Sequence, residues 1–423
     1  MRLLILSPIS PLPIFSGGRT RLYNITRQQA RRHQVTFLSF CRNEEERQGL
    51  KQLGQKLDIR VISVPFQSKK RLLRHPGRDA LIAARNYALA WRRGWPADIP
   101  AWEQAAMHRA LQAELTQNRY DILQVEWPYL APYALTPNSP PTVLITHDIF
   151  SVGLARRAGV QPDGREQKRL KQQARRWQRY EAFIYPRFDL VAAMSEQDAA
   201  IIRQRAADAN IIVSPNGVDT QSLTPGPLRA TIRNLLFVGS PTHAPNLDAA
   251  CWLLTDIWPE LRRRHPTLTL TLVNLDHPRV RASADGKKGV TITGRLPDLT
   301  PIYRQADVAL APLRAASGTR LKILEAFALG VPVISTAIGY EGLAVTPGEH
   351  LLQADTPEDF IAAVDRLAQH RALRANLMQN ARSLAEQRYD WTKIVDELDN
   401  AYTIVHRNRQ STPNAKRSPH TTF

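Results

Sequence analysis

Short apolar runs alternate with longer amphipathic stretches along most of the chain. Several of the runs are apolar at nearly every position, which is typical of strands buried on both faces of a parallel sheet. The predicted strands are residues 2–7, 34–40, 59–66, 121–127, 142–148, 189–195, 210–215, 234–239, 268–274, 290–294, 308–312, 331–336 and 350–354. Helical periodicity predicts helices at residues 19–32, 101–117, 166–185, 249–264, 322–329 and 357–387. This alternation predicts an α/β fold in which right-handed crossovers join parallel strands.

The number of predicted strands indicates two sheets. One open twisted sheet of this size would be unusually large, whereas two sheets of six or seven strands lie within the usual range. The length of 423 residues suffices for two or three domains. Residues 199–210 and 217–229 are both candidate linkers, and the second is richer in glycine and proline. We expect two doubly wound domains that face a ligand cleft at the carboxyl ends of their strands.

Positive charge is concentrated in three segments of the chain. The formal net charge is +19, and nearly all of the excess lies in residues 69–93, 151–187 and 407–423. A field this local indicates an anionic partner at particular surfaces, although a merely solvated basic face is an equally simple explanation. Nucleic-acid modules usually carry a recognition helix, RNP aromatics or zinc fingers, and the sequence offers no such motif. We therefore favour an anionic membrane surface over nucleic acid.

One predicted helix in this basic region, residues 166–185, is amphipathic. Its apolar residues Leu170, Ala174, Trp177 and Ile184 share one helical face. Much of the remaining surface is basic, with Lys168, Arg169, Lys171, Arg175, Arg176 and Arg179. Such a helix either lies on a membrane surface or buries its apolar stripe against its own domain.

The cysteines and the N-terminus favour a reducing compartment. Cys41 and Cys251 lie far apart and lack the spacing of a metal site. The apolar run at the N-terminus is shorter than a signal-peptide core. The sequence contains no run of about 18 apolar residues that would predict a membrane span. We expect a cytoplasmic protein, peripheral on the inner face of the cytoplasmic membrane, with a disordered basic tail at residues 407–423.

A glycine pair follows the first predicted strand. Gly17 and Gly18 open the next helix, where a backbone without Cβ atoms can approach a ligand and the helix N-terminus can bind an anion. The G-x-G-x-x-G dinucleotide motif is not present here. The pair is therefore also compatible with a simple tight turn.

The segment from Pro312 to Ala326 is a more specific candidate site. It ends a strand and passes a Ser-Gly-Thr turn before a helix begins. Gly318 and Thr319 would present backbone N–H groups, and Arg320 and Lys322 would add cationic donors for phosphate oxygens. Glu325 can accept hydrogen bonds from the two vicinal hydroxyls of a ribose. The alternative is an ordinary Lys–Glu surface pair on an exposed helix.

Short motifs in a fixed order resemble one enzyme family. In the N-terminal half these are Gly17-Gly18, Thr146-His147-Asp148, Tyr180-Glu181, Asp189-Leu190-Val191 and Met194-Ser195-Glu196. In the C-terminal half they are Pro215-Asn216-Gly217-Val218-Asp219, Phe237-Val238-Gly239, Thr293-Gly294, Pro297-Asp298-Leu299, Leu324-Glu325-Ala326, Pro332-Val333-Ile334 and Arg388-Tyr389-Asp390-Trp391. Together they resemble the family-four (group 1) glycosyltransferases, which are retaining enzymes of the GT-B fold that use nucleotide-activated sugars.

The resemblance implies a domain plan with two Rossmann-like doubly wound domains. Residues 1–200 would bind the acceptor and residues 201–387 the nucleotide sugar. Residues 388–406 would form a helix that returns to the N-terminal domain, followed by the basic tail at 407–423. Enzymes of this type use the donor as a substrate and require no cofactor. No Asp-x-Asp motif is evident at a strand end, so metal-independent catalysis is expected.

The resemblance also assigns site residues. The catalytic candidates are His147, Arg320 and Lys322, and the donor-binding candidates are Gly17, Gly18, Gly239, Ser317, Gly318, Thr319 and Glu325. Asp148 and Glu126, each at a strand end, are weaker candidates. The family has a first glutamate where this chain has Ser317, and many members have basic residues just after the position of Gly239. Arg320 and Lys322 would therefore neutralise the diphosphate nearly alone.

The expected function is that of a retaining glycosyltransferase of the hexosyltransferase type. It would move a sugar from a nucleoside diphosphate sugar to a glycan or polyprenyl-linked acceptor in cell-surface polysaccharide biosynthesis. One alternative is a sugar-nucleotide epimerase of the same fold. Another is a non-catalytic basic protein that binds a membrane or nucleic acid.

Overall fold

The computed structural model describes residues 1–67, 78–136, 139–159, 161, 163–296, 298–315 and 320–411. The chain divides into two compact units. The first unit comprises Met1–Ile14, Gly18–Pro215 and the chain from Val395 onward, and the second comprises Phe15–Gly17 and Asn216–Ile394. The first unit thus continues to Pro215, past the expected boundary at residue 200.

A parallel seven-stranded sheet forms the centre of the first unit, in the order β3-β2-β1-β4-β5-β6-β7. Its strands are β1 (Arg2–Ser7), β2 (Gln34–Cys41), β3 (Arg60–Pro65), β4 (Ile122–Glu126), β5 (Thr142–Ile145), β6 (Leu190–Ala193) and β7 (Ile211–Val213). Its helices include α1 (Gly17–Ala30), α2 (Glu44–Leu57), α3 (Arg78–Arg92), α4 (Asp98–Trp102), α5 (Ala105–Gln117), α6 (Ala131–Ala134), α7 (Phe150–Gly159), α8 (Gly164–Ile184) and α9 (Glu196–Arg205).

The second unit contains a parallel six-stranded sheet in the order β10-β9-β8-β11-β12-β13. Its strands are β8 (Asn234–Val238), β9 (Thr269–Val273), β10 (Val290–Ile292), β11 (Val308–Ala311), β12 (Val333–Ser335) and β13 (Leu352–Gln353). Its helices include α10 (Ala244–Trp252), α11 (Trp258–Arg264), α12 (Pro278–Ala284), α13 (Thr300–Gln305), α14 (Leu321–Ala328), α15 (Ala337–Tyr340), α16 (Pro357–Gln369) and α17 (Arg371–Arg388). The last described helix, α18 (Trp391–Ser411), belongs to the first unit from Val395 onward. It includes residues 407–411, so the expectation of a disordered tail is wrong there, and residues 412–423 lie outside the described residues.

The strand order reverses direction at one place in each sheet. In the first unit this switch point lies between β1 and β4, and in the second it lies between β8 and β11. The loops that leave these neighbouring strands diverge to opposite sides, so the carboxyl ends of the strands border a crevice there. Candidate sites are therefore expected above β1 and β4 in the first unit, and above β8 and β11 in the second.

The sheet prediction is confirmed, since each predicted strand is present. Most are slightly shorter than predicted, whereas β1 has the predicted bounds and β2 extends one residue further, to Cys41. The amphipathic helix 166–185 corresponds to α8, whose apolar residues are buried in the core of the first unit. Leu170 and Trp177 are 2% and 3% exposed. Of the two readings of this helix, burial against its own domain is therefore correct.

Several helix predictions need correction. The predicted helix at 101–117 is divided into α4 and α5, because Glu103 and Gln104 have extended backbones and the Gln104 N–H bonds the Tyr133 hydroxyl. The predicted helix at 249–264 begins earlier, at Ala244, and contains a π-helical turn at Leu253–Ile257 just before Pro259. Pro259 has no N–H to donate to the preceding turn, which is a common cause of such a distortion.

Two further segments also differ from their predictions. The predicted helix at 357–387 is two helices, α16 and α17, separated at His370. The candidate linker at 199–210 is wrong, because α9 occupies it as far as Arg205.

Candidate functional site

Polar side chains collect at the switch point of the second unit. They come from three helices: Asn246 from α10, Tyr303 from α13, and Lys322 and Glu325 from α14. Both α10 and α14 follow the strands β8 and β11 that border the crevice. The α14 residues lie one turn apart, since positions i and i+3 of a helix share a face.

Lys322 is held by a neutral partner in a desolvated setting. Its Nζ donates to Oδ1 of Asn246 at 2.9 Å and lies 4.6 Å from the ring centroid of Phe237. Burial, together with the nearby charge of Arg320, lowers the pKa of Lys322 to about 7, while Glu325 opposes the shift. An anionic ligand that binds here would supply the negative charge that the buried Lys322 ammonium lacks.

Glu325 lies in a similarly desolvated position and is fixed by Tyr303. The Tyr303 hydroxyl lies 3.2 Å from Oε2 of Glu325 and 3.0 Å from the backbone oxygen of Lys322. Burial raises the pKa of Glu325 to about 7, against the opposing effects of Tyr303 and Lys322. Tyr303 itself is only 1% exposed, so its hydroxyl is a rigid support for the first turn of α14.

The alternative of an exposed Lys–Glu surface pair does not fit this geometry. Both side chains are half-buried, and in the described part of the chain neither forms a salt bridge. Their polar atoms instead bond Asn246 and Tyr303. The half-buried carboxylate and ammonium groups therefore remain available for a polar ligand at the surface of the second unit.

Arg320 occupies the N-cap position of α14 and is 7% exposed. Its Nη2 donates to the backbone oxygen of Ile338 at 3.2 Å, which ties the start of α14 to α15. The other three candidates of this loop, Ser317, Gly318 and Thr319, lie outside the described residues. Their proposed contact with phosphate stays a prediction.

Gly239 directly follows β8, one residue beyond the strand end, and its small size has a packing reason. A Cβ atom there would lie 2.6 Å from Cδ2 of Leu275. Gly339, which the sequence analysis did not single out as a site residue, is similarly restricted: its Cβ would lie 2.6 Å from the backbone oxygen of Ala311. Both glycines shape the edge of the sheet at the ends of β8 and β11.

His147 and Glu126 meet at the carboxyl ends of β5 and β4 in the first unit. The His147 Nε2 lies 2.5 Å from Oε2 of Glu126. The imidazole stacks on the indole of Trp127, with ring centroids 3.6 Å apart and planes 5° apart. The backbone of His147 is left-handed, with φ 56°, which turns the chain sharply where β5 ends.

The imidazole of His147 is favoured in its neutral form. Burial lowers its pKa, with Glu126 opposing the shift and Arg21 adding to it. Nε2 faces the carboxylate, so it carries the proton of the neutral ring. Within the described residues Nδ1 has no hydrogen-bond partner, and it is therefore the nitrogen that can accept a bond from a substrate.

A chain of buried amides orients the Glu126 carboxylate. Gln124 Nε2 donates to Oε1 of Glu126 at 2.5 Å, and Oε1 of Gln124 accepts bonds of 2.8 Å from Gln29 and from Tyr402. These residues lie on β4, α1 and α18. The network holds Oε1 of Glu126 in place and leaves Oε2 to accept the hydrogen bond from Nε2 of His147. A hydrogen bond of this kind sets the tautomer of the histidine, with the proton on Nε2.

One residue of the glycine pair at the start of α1, Gly18, lies close to the tryptophan that stacks on His147. A Cβ atom on Gly18 would lie 3.0 Å from Cζ2 of Trp127, which stacks on His147. Gly18 thus allows α1 to approach the Trp127 indole. Gly17, the first residue of α1, is exposed.

Asn246, Tyr303 and Gln124 were not predicted from the sequence as members of these groups. Asn246 and Tyr303 lie on other helices than their partners, 76 and 22 residues away along the chain. Gln124 lies on the same strand as Glu126, two residues before it, and this spacing was the one signal that could have identified it. The described residues contain no group of three or more His, Cys, Asp and Glu side chains arranged to hold a metal ion. Among the same residues, no helix is both apolar and long enough to traverse a bilayer.

Two family models match adjoining parts of the chain. "Glycosyltransferase Family 4" matches residues 15–222, and "Glycosyl transferases group 1" matches residues 232–370. This protein belongs to the group 1 glycosyltransferases. The family predicted from the motifs, and the assignment as a glycosyltransferase, are thereby confirmed.

Curated relatives of this glycosyltransferase match over part of their length. The D-inositol 3-phosphate glycosyltransferase of Geodermatophilus obscurus is 33% identical over 243 residues, which cover 51% of this chain and 52% of that protein. The phosphatidyl-myo-inositol mannosyltransferase of Mycobacterium leprae is 25% identical over 213 residues, which cover 48% of this chain and 56% of that protein. The chain therefore spans about half the length of the curated relatives it matches.

Solved structures resemble this glycosyltransferase over nearly its whole length. The sucrose-phosphate synthase of Thermosynechococcus elongatus gives a TM-score of 0.68 at 16% identity, covering 96% of this chain and 100% of that chain. HepE of Anabaena in complex with UDP-glucose gives a TM-score of 0.65 at 15% identity, with coverage of 96% and 100%. At these identities the likeness concerns the fold, and it confirms the predicted GT-B class.

Proposed function

We propose that this glycosyltransferase moves a hexosyl group from a nucleoside diphosphate sugar to a glycan or lipid-linked acceptor, with retention of configuration, in cell-surface polysaccharide biosynthesis. The observation that carries the proposal is the half-buried pair Lys322 and Glu325 at the start of α14, fixed by Asn246 and Tyr303. A desolvated cation beside a desolvated carboxylate suits a ligand that has both a diphosphate and a ribose.

In this proposal the two ends of the pair bind different parts of the donor. The Lys322 ammonium pairs with the diphosphate, and Arg320 adds a second positive charge at the start of the same helix. The Glu325 carboxylate accepts bonds from the two ribose hydroxyls. The solved complex of HepE with UDP-glucose, a protein of the same fold, is consistent with a nucleotide sugar as the donor.

The transfer step we propose needs no metal and no cofactor. The acceptor hydroxyl attacks the anomeric carbon on the face that the diphosphate leaves, the glycosidic bond forms, and the bond from that carbon to the phosphate oxygen breaks. The hydroxyl proton passes to an oxygen of the departing diphosphate. Lys322 and Arg320 stabilise the negative charge that develops there, so positioning and electrostatics supply most of the rate enhancement.

His147 has a separate role in the proposal. Its neutral ring carries a proton on Nε2, which Glu126 holds, and exposes a lone pair on Nδ1. A substrate hydroxyl that donates to Nδ1 would be oriented without any change in the charge of the ring. Glu126 is then a positioning residue that acts through His147.

A lipid-linked acceptor is supported by charge and by the names of relatives. The basic segments of the first unit suit an anionic surface. One relative is named for phosphatidyl-myo-inositol, which carries its own lipid, and another for D-inositol 3-phosphate. Both names describe acceptors that bear a phosphate group.

The test incubates purified protein with radiolabelled UDP-sugars and GDP-sugars in the presence of a bacterial membrane extract. We expect label in the lipid or glycan fraction from at least one donor, and loss of this label in Lys322→Met. The matched control Lys288→Met removes an exposed lysine of the same unit and should keep full transfer.

Each of the other outcomes would indicate a different function or a different donor site. Interconversion of the donor sugar without transfer would identify an epimerase. No turnover of any donor, together with salt-dependent binding to DNA, would identify a non-catalytic basic protein. Transfer by Lys322→Met at the wild-type rate would show that the donor site is elsewhere.

A further inference from the structure

Helix α3 carries an exposed apolar stripe on the surface of the first unit. Leu81 and Trp91 are each 75% exposed, which is the largest exposure of any big apolar side chain in the described residues. Ala84 and Ala88 lie between them and are also exposed. The spacing of these four positions, three or four residues apart, places them on one face of the helix.

The opposite face of α3 explains how the helix is attached. Asn86 and Ala90 are 5% and 4% exposed and pack into the unit. Just after the helix, Trp95 packs against Tyr180 and Phe183 of α8, with ring centroids 5.2 and 5.0 Å apart. The helix is therefore anchored along one side while Leu81 and Trp91 point to solvent on the other.

Positive charge surrounds the exposed stripe. Arg85 and Arg92 flank it on α3 itself and are exposed. At the junction with α8, the guanidinium of Arg179 lies against the turn at Gly94, where a Cβ atom would be 2.9 Å from its Nη1. Burial lowers the pKa of Arg187, and the charge of Arg93 adds to that shift, so like charges are crowded at this junction.

Helix α8 extends the same basic surface. Its apolar residues are buried, and its exposed residues include Lys168, Lys171, Arg175 and Arg179. In the part of the chain that the structure describes, no acidic side chain pairs with these four residues. The described acids near this surface include Glu166, which pairs with Arg169, Asp98, and Glu103, which lines a cavity together with Asn86 and Arg93. The net field is therefore positive.

We propose that the α3 stripe, defined as Leu81, Ala84, Ala88 and Trp91, docks into the surface of an anionic phospholipid bilayer, with the arginines of α3 and α8 on the lipid phosphates. Leucine and tryptophan side chains enter the boundary between headgroups and acyl chains, where tryptophan is especially favoured. Long basic side chains reach the phosphate level from the same helix. The inference rests on the proposed function for its purpose, because docking would bring the first unit to a lipid-linked acceptor.

The exposed apolar stripe and the positive charge around it together indicate which kind of partner binds here. A nucleic acid would use the arginines but would gain nothing from an exposed leucine and a stripe of alanines. A protein partner would bury the stripe but would not require so large an excess of positive charge. A bilayer that contains anionic lipid satisfies both.

The experiment measures binding of the full chain to vesicles of phosphatidylcholine with and without phosphatidylglycerol, by cosedimentation at low and high salt. We expect binding to the anionic vesicles only, and weaker binding at high salt. Trp91→Glu should lower the partition coefficient by about tenfold, as expected for loss of one inserted apolar side chain. Ile404→Glu is the matched control, because Ile404 is an exposed apolar residue elsewhere in the same unit, at 58% exposure, and it should bind as wild type does.

A second measurement reports insertion directly. Brominated lipid quenches the fluorescence of a tryptophan that enters the bilayer, so quenching should occur in wild type and be largely lost in Trp91→Phe. The charge contribution is tested with Arg175→Glu, which should weaken vesicle binding. Its control Lys51→Glu, on α2, should not.

Failure of this inference and failure of the proposed function are distinguishable. The vesicle assay contains no sugar nucleotide, and UDP titration of Trp91→Glu should give the wild-type dissociation constant. Absence of vesicle binding at low salt, or equal binding by Trp91→Glu and Ile404→Glu, would overturn the docking proposal. Binding to DNA with no binding to vesicles would also overturn it. Vesicle binding without any glycosyl transfer would leave docking in place and remove the proposed function.

Discussion

Lys322 is the residue whose chemistry is most dependent on its surroundings. Its partner is the amide of Asn246 instead of a carboxylate, so no negative charge stabilises the ammonium through a direct bond. Burial consequently lowers its pKa to about 7. An ammonium poised in this way can become fully charged when an anion arrives.

The pH dependence of UDP binding follows from this pKa. The folded protein holds Lys322 with a lowered pKa, so a growing fraction is neutral as the pH rises above about 7. Binding of the diphosphate then requires uptake of a proton, and we expect the affinity to fall by up to about tenfold per pH unit there. Lys322→Arg should remove this slope, because arginine stays charged throughout. Calorimetric titrations of UDP at several pH values would measure it, with Lys288→Arg as control, and equal slopes for wild type and Lys322→Arg would contradict the account.

Replacement of Glu126 should lower the turnover rate and leave the affinity for UDP nearly unchanged. Glu126→Gln keeps the size of the side chain but replaces the carboxylate that holds the Nε2 proton of His147. The neutral ring can then adopt the other tautomer, and we expect kcat to fall by about tenfold or more. The UDP dissociation constant and the midpoint of thermal unfolding should change little. Glu196→Gln, an exposed glutamate of the same unit, is the control, and an unchanged kcat in Glu126→Gln would remove the proposed positioning role.

Only part of the candidate site could be predicted at the level of residues. Lys322 and Glu325 are recognisable because they lie close together in one loop–helix segment. Asn246 and Tyr303 were missed because each belongs to another helix, and only the folded sheet brings it to α14. Whether a strand-end histidine meets a glutamate is likewise a matter of register, since Glu126 pairs with Ile145, two residues before His147.

At the scale of elements, two motifs that identified the family also form one structural joint. The Val218 N–H donates to the Tyr389 oxygen at 2.7 Å, and the Trp391 N–H donates to the Val218 oxygen at 3.3 Å. Asp390 accepts from the Thr220 N–H at 3.2 Å. The segments before β8 and after α17 are thus fastened together within the second unit, although they are far apart in the sequence.

Gly217 should be sensitive to the addition of a single methyl group. A Cβ atom there would lie 2.6 Å from Cδ1 of Ile394 and 2.7 Å from the Tyr389 oxygen. We expect Gly217→Ala to lower the free energy of unfolding by about 1–3 kcal/mol, the usual cost of overpacking. Gly226→Ala, with no atom within 4 Å of its Cβ position, should be close to neutral. Urea unfolding of both variants would test this, and equal midpoints would show that the joint tolerates the methyl group.

The strands were more predictable than the helices for a physical reason. Strands buried on both faces are apolar almost throughout, and this signal survives without tertiary information. Helix α2 was missed because its sequence is mostly polar, with Leu50 and Leu53 among its few buried residues. A capping signal was nevertheless present, since Asn43 accepts from the Glu46 N–H at the start of that helix.

At the scale of the whole molecule, the two compact units have separate cores and separate candidate groups. The Lys322 group lies in the second unit, and the His147 group and the α3 stripe lie in the first. The strands, their division into two parallel sheets and the family follow from sequence patterns, whereas the strand order and the two switch points are seen only in the structure. The exposed stripe of α3 does not, because an isolated sequence cannot reveal which face of a helix its own domain covers.

Hydrogen exchange should distinguish the proposed nucleotide site in the second unit from the α3 stripe in the first. We expect UDP to slow amide exchange in peptides that contain α14 and the start of α10, because a bound ligand suppresses local opening. Peptides from α3 should be unaffected by UDP and should instead be protected by anionic vesicles. Protection of α3 by UDP alone would contradict the separate assignment of the two surfaces.

A calorimetric titration of UDP and of GDP into wild type, Lys322→Met and Lys288→Met at neutral pH tests directly whether Lys322 binds the donor diphosphate. We expect at least one nucleotide to bind wild type and Lys288→Met equally, and to bind Lys322→Met about 10- to 100-fold more weakly, because a charged hydrogen bond is lost. Binding of neither nucleotide to wild type, or equal binding by Lys322→Met, would contradict this expectation.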